Sequence, residues 1–379
     1  MFFICSGRAP ILPALDEDPH PRPRKGRGAI SNPDGRFEAT RRVAVDDGWA
    51  RAGAEEEEEG DAHGPATTLS PDASRSIIAR NDSPDIPFDR SINPYRGCEH
   101  GCVYCYARPT HGWLGLSAGL DFETRIFFKP DAARLLRAEL ARPGYRPAPI
   151  AFGTNTDPYQ PAERGLRITR ALLELLAEHD HPVTIVTKSA LVLRDADILG
   201  PMSRRRLARV FLSVTTLDRG LARRLEPRAS SPARRLEAIA GLAAAGVDVG
   251  VMAAPIMPAL TDHELEPLLE SAARAGARSA GYTMLRLPHE VKDLFREWLE
   301  AHEPLKAARV LARVARMRGG ALNDPRFGTR IVGEGAEAAL VARRFRLACE
   351  RLGLGGERRP LDASLFRPPA GDPRQLGLF

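Results

Sequence analysis

The chain has 379 residues, 43 % of them hydrophobic and 27 % charged. That is enough apolar material for a sizeable core, in two domains or in one large α/β domain with appendages. No apolar run approaches the about 20 residues that cross a bilayer, and Met1-Phe2-Phe3-Ile4-Cys5 is too short for a signal-peptide core and follows no basic residue, so a cytoplasmic protein without membrane association is expected. The formal net charge of +6 fits a polyanionic partner. Only five of the 55 basic residues are Lys, however, and the chain is rich in Ala, Gly and Pro, so codon bias of a GC-rich genome explains the charge equally well.

Residues 1–73 are expected to form a largely disordered leader. They carry the basic run His20 to Gly28 and the acidic block Glu55 to Glu59, and they lack apolar periodicity. Ile30-Ser31-Asn32-Pro33 and Gly48-Trp49 are the less bland stretches, where a local tether is conceivable. From Ser74 the texture changes. Strand-type runs fall at Ser91–Tyr95, Ile150–Gly153, Val183–Thr187, Val210–Thr215, Val247–Ala254 and Ala280–Leu285. Between them lie amphipathic helical patterns at Asp131–Ala141, Ile168–His179, Ser231–Ala245 and Asp262–Ala275. Ile168, Leu172, Leu175 and Leu176 share one helix face, and Gly246 and Gly276 read as helix stops.

Strands alternating with helices predict βαβ units and a parallel sheet, as an open α/β sheet or a partial barrel, with ligands at the C-terminal strand ends. After Val291 the pattern is helical, at Val291–Glu300, Pro304–Met317 and Ala336–Leu352. The expected organisation is therefore a barrel or sheet over 74–290, a helical C-terminal extension over 291–366 and a flexible tail over 367–379.

Five cysteines is an odd number, and three lie within eight residues, which points to a metal rather than a disulfide framework. Cys98, Cys102 and Cys105 have the spacing C-x3-C-x2-C, with Tyr104 before the last Cys and Gly97 and Gly101 bracketing the turn. Three thiolates on one loop can each take one iron of a [4Fe–4S] cube. With no fourth Cys nearby, one iron is left without a protein thiolate, as a catalytic site requires. The competing reading is a zinc site made of the three cysteines with His100 or His111, in a metal-binding interaction module without turnover; the absence of a second C-x2-C pair argues against it.

C-x3-C-x-aromatic-C after a first strand resembles the signature of radical S-adenosylmethionine (SAM) enzymes. The resemblance implies a partial (β/α)6 barrel, a [4Fe–4S] cluster whose open iron chelates SAM, an external electron donor, and reductive cleavage of SAM to a 5′-deoxyadenosyl radical. Ser74-Arg75-Ser76-Ile77-Ile78, Asn93-Pro94-Tyr95, Cys105 to His111, Asp121-Phe122-Glu123, Gly153 to Gln160 and Val186-Thr187-Lys188-Ser189 extend the likeness to a subgroup. It comprises the radical SAM proteins similar to spore photoproduct lyase, also described as DNA repair photolyase-like. DNA is then the expected partner and a DNA repair-like reaction the expected activity. RNA or a protein side chain is the alternative target.

The same resemblance implies contacts to SAM. Asn155 and Asp157, after the second strand, suit its amino group; Lys188, after the third, suits its carboxylate or ribose oxygens. Ser213 and Thr215, after the fourth, offer hydroxyls, Arg228 a fork for a carboxylate, and the strand Gly250–Pro255 a backbone for adenine. Tyr104 either stacks near adenine or shields the cluster loop. Arg108 and His111 either contact substrate or cap the loop. The likeness departs from spore photoproduct lyase at one point: that enzyme has a hydrogen-donor cysteine just after its second strand, where this chain has Thr154. An O–H bond is too strong to replace a thiol, so thymine-dimer lyase chemistry by that route is not expected. Cys5 falls in the leader, and Cys349 reads as a packed helix residue.

The segment Gln375-Leu376-Gly377-Leu378-Phe379 resembles the peptide by which bacterial DNA-repair proteins dock on the sliding clamp. Gln375 would fix the register, while Leu376, Leu378 and Phe379 fill an apolar groove; folding back onto its own domain is the alternative.

Overall fold

The structure is a computed structural model that describes residues 22–38, 65–355 and 359–369. The strands in chain order are β1 (Thr68–Pro71), β2 (Ile78–Arg80), β3 (Arg90–Ile92), β4 (Tyr95–Arg96), β5 (Arg125–Phe128), β6 (Ile150–Phe152), β7 (Val183–Thr187), β8 (Ala208–Val214), β9 (Asp248–Ile256) and β10 (Ser279–Met284). One sheet has the order β10-β9-β8-β7-β6-β3-β2. From β3 to β10 each neighbouring pair in it is parallel, and β2 adds an antiparallel edge. These parallel strands coincide with the six strand-type runs of the sequence. A smaller sheet, β1-β5-β4, lies beside them.

The helices are α1 (Leu120–Thr124), α2 (Ala132–Leu140), α3 (Glu163–Leu166), α4 (Ile168–Glu178), α5 (Ala196–Arg204), α6 (Arg219–Leu225), α7 (Pro232–Ala244), α8 (Leu265–Arg274), α9 (Val291–His302), α10 (Pro304–Arg316) and α11 (Gly335–Leu352). The chain crosses from β6 to β7 through α4, from β7 to β8 through α5, from β8 to β9 through α7 and from β9 to β10 through α8. On α4 the expected stripe Ile168, Leu172, Leu175 and Leu176 is buried. Ser231 caps α7 by accepting from the Arg234 amide, and Pro232 occupies its first turn, where no N–H is needed. Among the described residues no helix is long and apolar enough to cross a membrane.

Four details differ from the sequence expectations. The first strand stops at Ile92, because Pro94 cannot donate to the ladder; Tyr95 and Arg96 instead pair with Phe128 and Phe127 of the small sheet. Helix α5, which contains Gly200-Pro201, is not among the helical patterns expected from the sequence. Leu199 and Met202 are buried there, and a Cβ at Gly200 would lie 2.6 Å from the Ala245 carbonyl oxygen. Parts of the expected leader are packed: Ala29 and Ile30 are buried, and β1 pairs with β5. Helices α9 and α10 share an apolar cluster with Cys102, Val103 and Tyr104, so the C-terminal extension buttresses the cysteine loop directly. Cys349, on α11, lies in the main core. Cys5, Gly48-Trp49, the acidic block and Gln375 to Phe379 lie outside the described residues.

Candidate active site

Cys98, Cys102 and Cys105 follow β4 on a loop that folds back on itself. The Cys98 amide donates to the Phe122 carbonyl (2.9 Å), and the Cys105 amide to that of Cys102 (3.2 Å). Gly97 has φ +79°, and a Cβ there would meet His111, Ile126 and the Phe122 oxygen, each at 2.9 Å. Only glycine fits that close approach. Two side chains fix the loop from outside. Gln160 spans it, accepting from the Glu99 amide (2.9 Å) and donating to the Gly97 carbonyl (3.2 Å). Arg108 donates to the carbonyls of Cys102, Gly101, Ala118 and Gly119 and pairs with buried Glu123, which also accepts from the Gly28 and Ala29 amides. Arg108 therefore caps the loop. His111 lies against Phe122 with Nε2 on the Arg125 carbonyl, and it does not line the cavity described next.

The three cysteines line a cavity of about 510 Å³ at the C-terminal ends of the parallel strands. Asn155 and Asp157 after β6, Lys188 after β7, Ser213 on β8, Met252 and Ala254 on β9 and Arg286 after β10 share it, with Tyr104 and Tyr106 from the cysteine loop. Burial pushes all three thiols above the usual range, so at neutral pH their thiolates need a positive centre. The donor set suits a cluster that gives each thiolate its own iron. A zinc tetrad completed by a histidine fits less well: His100 Nδ1 sits 3.3 Å from Asp157 Oδ2, and among the described residues no three donors converge on one ion.

The remaining expected contacts separate into two groups. Asn155 lines the cavity, its backbone held by Asn93 Oδ1 (3.0 Å). Asp157 is occupied within the protein. It accepts from the Tyr159 amide (2.8 Å), the Thr187 hydroxyl (2.7 Å) and the Lys188 amide (2.7 Å), thereby tying the loop after β6 to the end of β7. Lys188 Nζ reaches Ser213 Oγ (2.9 Å), Thr215 Oγ1 (3.0 Å), the Ala254 carbonyl (3.1 Å) and Glu226 (3.1 Å). Glu226 is buried and also pairs with Arg235 and accepts from Tyr104 and Thr215 (2.6 Å to Thr215). Burial raises its pKa, but Arg235 and Lys188 outweigh that and hold it well below the usual carboxylate range. The Tyr104 ring thus faces the cavity while its hydroxyl is anchored behind it. Thr215 and Arg228 do not line the cavity: Thr215 backs Lys188, and Arg228 Nη1 reaches both Glu99 (3.1 Å) and Thr67 (3.0 Å). The carboxylate expected for Arg228 is supplied by the protein itself.

The sequence reading missed the Glu226–Arg235 hub, the His100–Asp157 pair, and Tyr106 and Arg286 at the cavity mouth. Arg286 was within reach, because it follows the sixth strand as Lys188 follows the third.

Residues 92–272 match the model of the radical SAM superfamily. An uncharacterised protein of Mycobacterium tuberculosis is 38 % identical over 221 residues, 58 % of this chain and 65 % of that protein's length. One of Methanocaldococcus jannaschii is 28 % identical over 173 residues, 46 % of this chain and 62 % of the relative. The chain thus spans a little under two thirds of the length of these relatives. Among solved structures, spore photoproduct lyase complexed with the dinucleoside spore photoproduct is 19 % identical, with a TM-score of 0.53 over 75 % of this chain and 79 % of that one. A variant of that enzyme holding SAM and the same dinucleoside is 18 % identical, with a TM-score of 0.52 over 75 % of this chain and 78 % of that one. At this identity the likeness establishes a common fold. Enzymes of the matched superfamily use a [4Fe–4S] cluster and SAM. Over residues 92–272, a little under half of its length, the chain is thus similar to the radical SAM superfamily.

Proposed function

We propose that the chain is a radical SAM enzyme acting on nucleic acid, with Cys98, Cys102 and Cys105 as the cluster ligands. The observation that carries this reading is the opening of the three-cysteine loop into a cavity at the C-terminal strand ends, largely apolar but with Asn155, Lys188 and Ser213 in its wall. When bound, the cluster supplies the electron that cleaves SAM to methionine and a 5′-deoxyadenosyl radical, which takes a hydrogen atom from the substrate. The residues of the chain do the holding. Arg108 and Gln160 fix the loop backbone, Asn155 offers an amide oxygen for the SAM amine, and Ser213 lies beside the paired Lys188 in the wall. Thr154 bonds Asn93, and among the described residues the thiols lining the cavity are the three of the loop.

The nucleic-acid target is supported by the aromatic and basic residues at the mouth, Tyr106, Arg286 and Arg330. Docking on a sliding clamp through Gln375 to Phe379 is a separate proposal, tested by clamp binding with and without those five residues. Anaerobic reconstitution tests the main reading. The expected result is a [4Fe–4S] spectrum and 5′-deoxyadenosine formation with SAM and a reductant, stimulated by damaged DNA. Stimulation by RNA or a protein instead would change the target, and tight zinc binding without SAM cleavage would overturn the reading.

A further inference from the structure

Among the described residues, five ionisable side chains besides cysteines and tyrosines line the cavity: His100, Asp157, Lys188, Arg286 and Arg330. Four have opposite partners. His100 faces Asp157, Lys188 faces Glu226, and Arg330 Nε lies 2.5 Å from Asp85 Oδ2. The guanidinium of Arg286 makes no hydrogen bond or ion pair with another described residue; its one partner is the ring of Tyr106, 4.6 Å from its centre. Burial lowers its pKa, and the like charge of Arg330 adds to that. An unpaired, partly buried cation is costly, and a planar fork is the donor best matched to a phosphate or carboxylate.

The site is built rather than incidental. The Tyr106 hydroxyl bonds the Thr154 carbonyl, which fixes the ring beneath Arg286. Arg318, buried, donates to the carbonyls of Met284, Leu285, Thr329 and Arg330, and so clamps the backbone just before Arg286 to the segment carrying Arg330. Asp85, whose charge also acts on Arg286, is already taken by Arg330 and the Gly328 amide (2.7 Å).

We propose that Arg286 is an anion-binding subsite for a backbone phosphate of a nucleic-acid strand. The inference rests on the nucleic-acid reading above and names the residue that would carry it. The anion could also be the SAM carboxylate, but the surroundings favour the strand. Asn155, Lys188 and Ser213 lie on β6 to β8, whereas Arg286 follows β10 at the rim. There Tyr106 is 47 % exposed, and Phe327, 59 % exposed, is covered by Arg330 at 4.6 Å. Exposed aromatic faces with cations beside them are how proteins grip single strands, bases on rings and phosphates on guanidiniums.

The test uses cluster-loaded protein with SAM and two labelled single-stranded oligothymidylates of about ten nucleotides, one with phosphodiester links and one with neutral methylphosphonate links. Wild type should prefer the charged strand. Arg286→Ala should shrink that preference about tenfold and make the slope of log affinity against log salt shallower by about 0.7, one phosphate's worth. Arg286→Lys should lose less. A wild type that binds neither strand overturns both the nucleic-acid reading and this proposal. A wild type that prefers the charged strand while Arg286→Ala keeps the full preference overturns this proposal alone. So does a loss confined to SAM affinity, which would assign the anion to the SAM carboxylate.

Discussion

Along the wall made by β7, β8 and β9, charges meet their opposites inside the protein. Lys188 and Arg235 share Glu226, and Tyr104 and Thr215 take up its remaining lone pairs. At the rim after β10, the Asp85 carboxylate acts on both Arg286 and Arg330, and Arg330 holds it. The wall is electrostatically finished before any ligand arrives, so its polar groups hold a shape. The rim has Arg286 without an acid among its hydrogen bonds and ion pairs to described residues, beside the exposed ring of Tyr106. The same residue type therefore stands differently in the two places: the arginine at the wall is tied to a protein carboxylate, and Arg286 at the rim is the one proposed to take a ligand's anion.

The comparison presupposes that wall and rim enclose a cluster, and the largest effect would break it there. Each of Cys98→Ala, Cys102→Ala and Cys105→Ala should reduce bound iron from about four per chain to a small residue, because a cube held by two thiolates is labile. Iron and sulfide assays after anaerobic reconstitution read this directly. Iron content unchanged in all three variants would remove the site from both halves of the comparison.

Glu226 tests the claim that the wall is self-contained. Glu226→Ala leaves Lys188 and Arg235 without their acid, and breaking such a buried pair costs about 3–5 kcal/mol. Glu226→Gln keeps the shape and can still accept from Thr215, so it should lose less. Urea unfolding measures both. A loss for Glu226→Ala no larger than that of a surface substitution would mean the wall does not depend on its charges.

Asp157 carries the same logic to the loop after β6. In Asp157→Asn the amide would present a donor to at least one of the Lys188 amide, the Thr187 hydroxyl, the Tyr159 amide and His100, most of which themselves donate. A mismatched buried hydrogen bond costs about 1–3 kcal/mol. Since His100 sits between Cys98 and Cys102, slower cluster loading should accompany the lost stability. Lost stability with normal loading would confine Asp157 to the barrel.

The difference between wall and rim also tracks what the sequence made legible. The parallel strands could be read because short β-branched and apolar runs such as Val183–Thr187 are bounded by Pro, Gly or polar turns, and the cysteine loop because its spacing is local. Lys188 was found as a cation at a strand end, but its pairing was not, since Tyr104, Glu226 and Arg235 come from distant stretches that only the fold assembles. Asp157 read as a ligand for the same reason: a carboxylate at a strand end looks alike whether it awaits a cofactor or already accepts three protein donors. In the leader, the packing of Gly28 to Ile30 is obscured in the sequence by the basic run before them.

The smallest expected effect has the opposite sign, and for that reason it sharpens the comparison most. Asp85→Ala removes the acid that Arg330 now holds and leaves Arg286 and Arg330 with no carboxylate between them. The Asp85 side chain is 8 % exposed and its contacts join two loops, so stability should fall by about 1 kcal/mol. Affinity for a single-stranded oligonucleotide should nevertheless rise a few-fold at low salt, and the gain should fade as ionic strength screens the added charge. Removing an acid from the wall would then damage the protein, and removing one from the rim would improve its hold on an anion. Oligonucleotide affinity that falls with Asp85→Ala would instead make the Asp85–Arg330 contact part of the binding surface's shape, and the two regions would differ less than their charges imply.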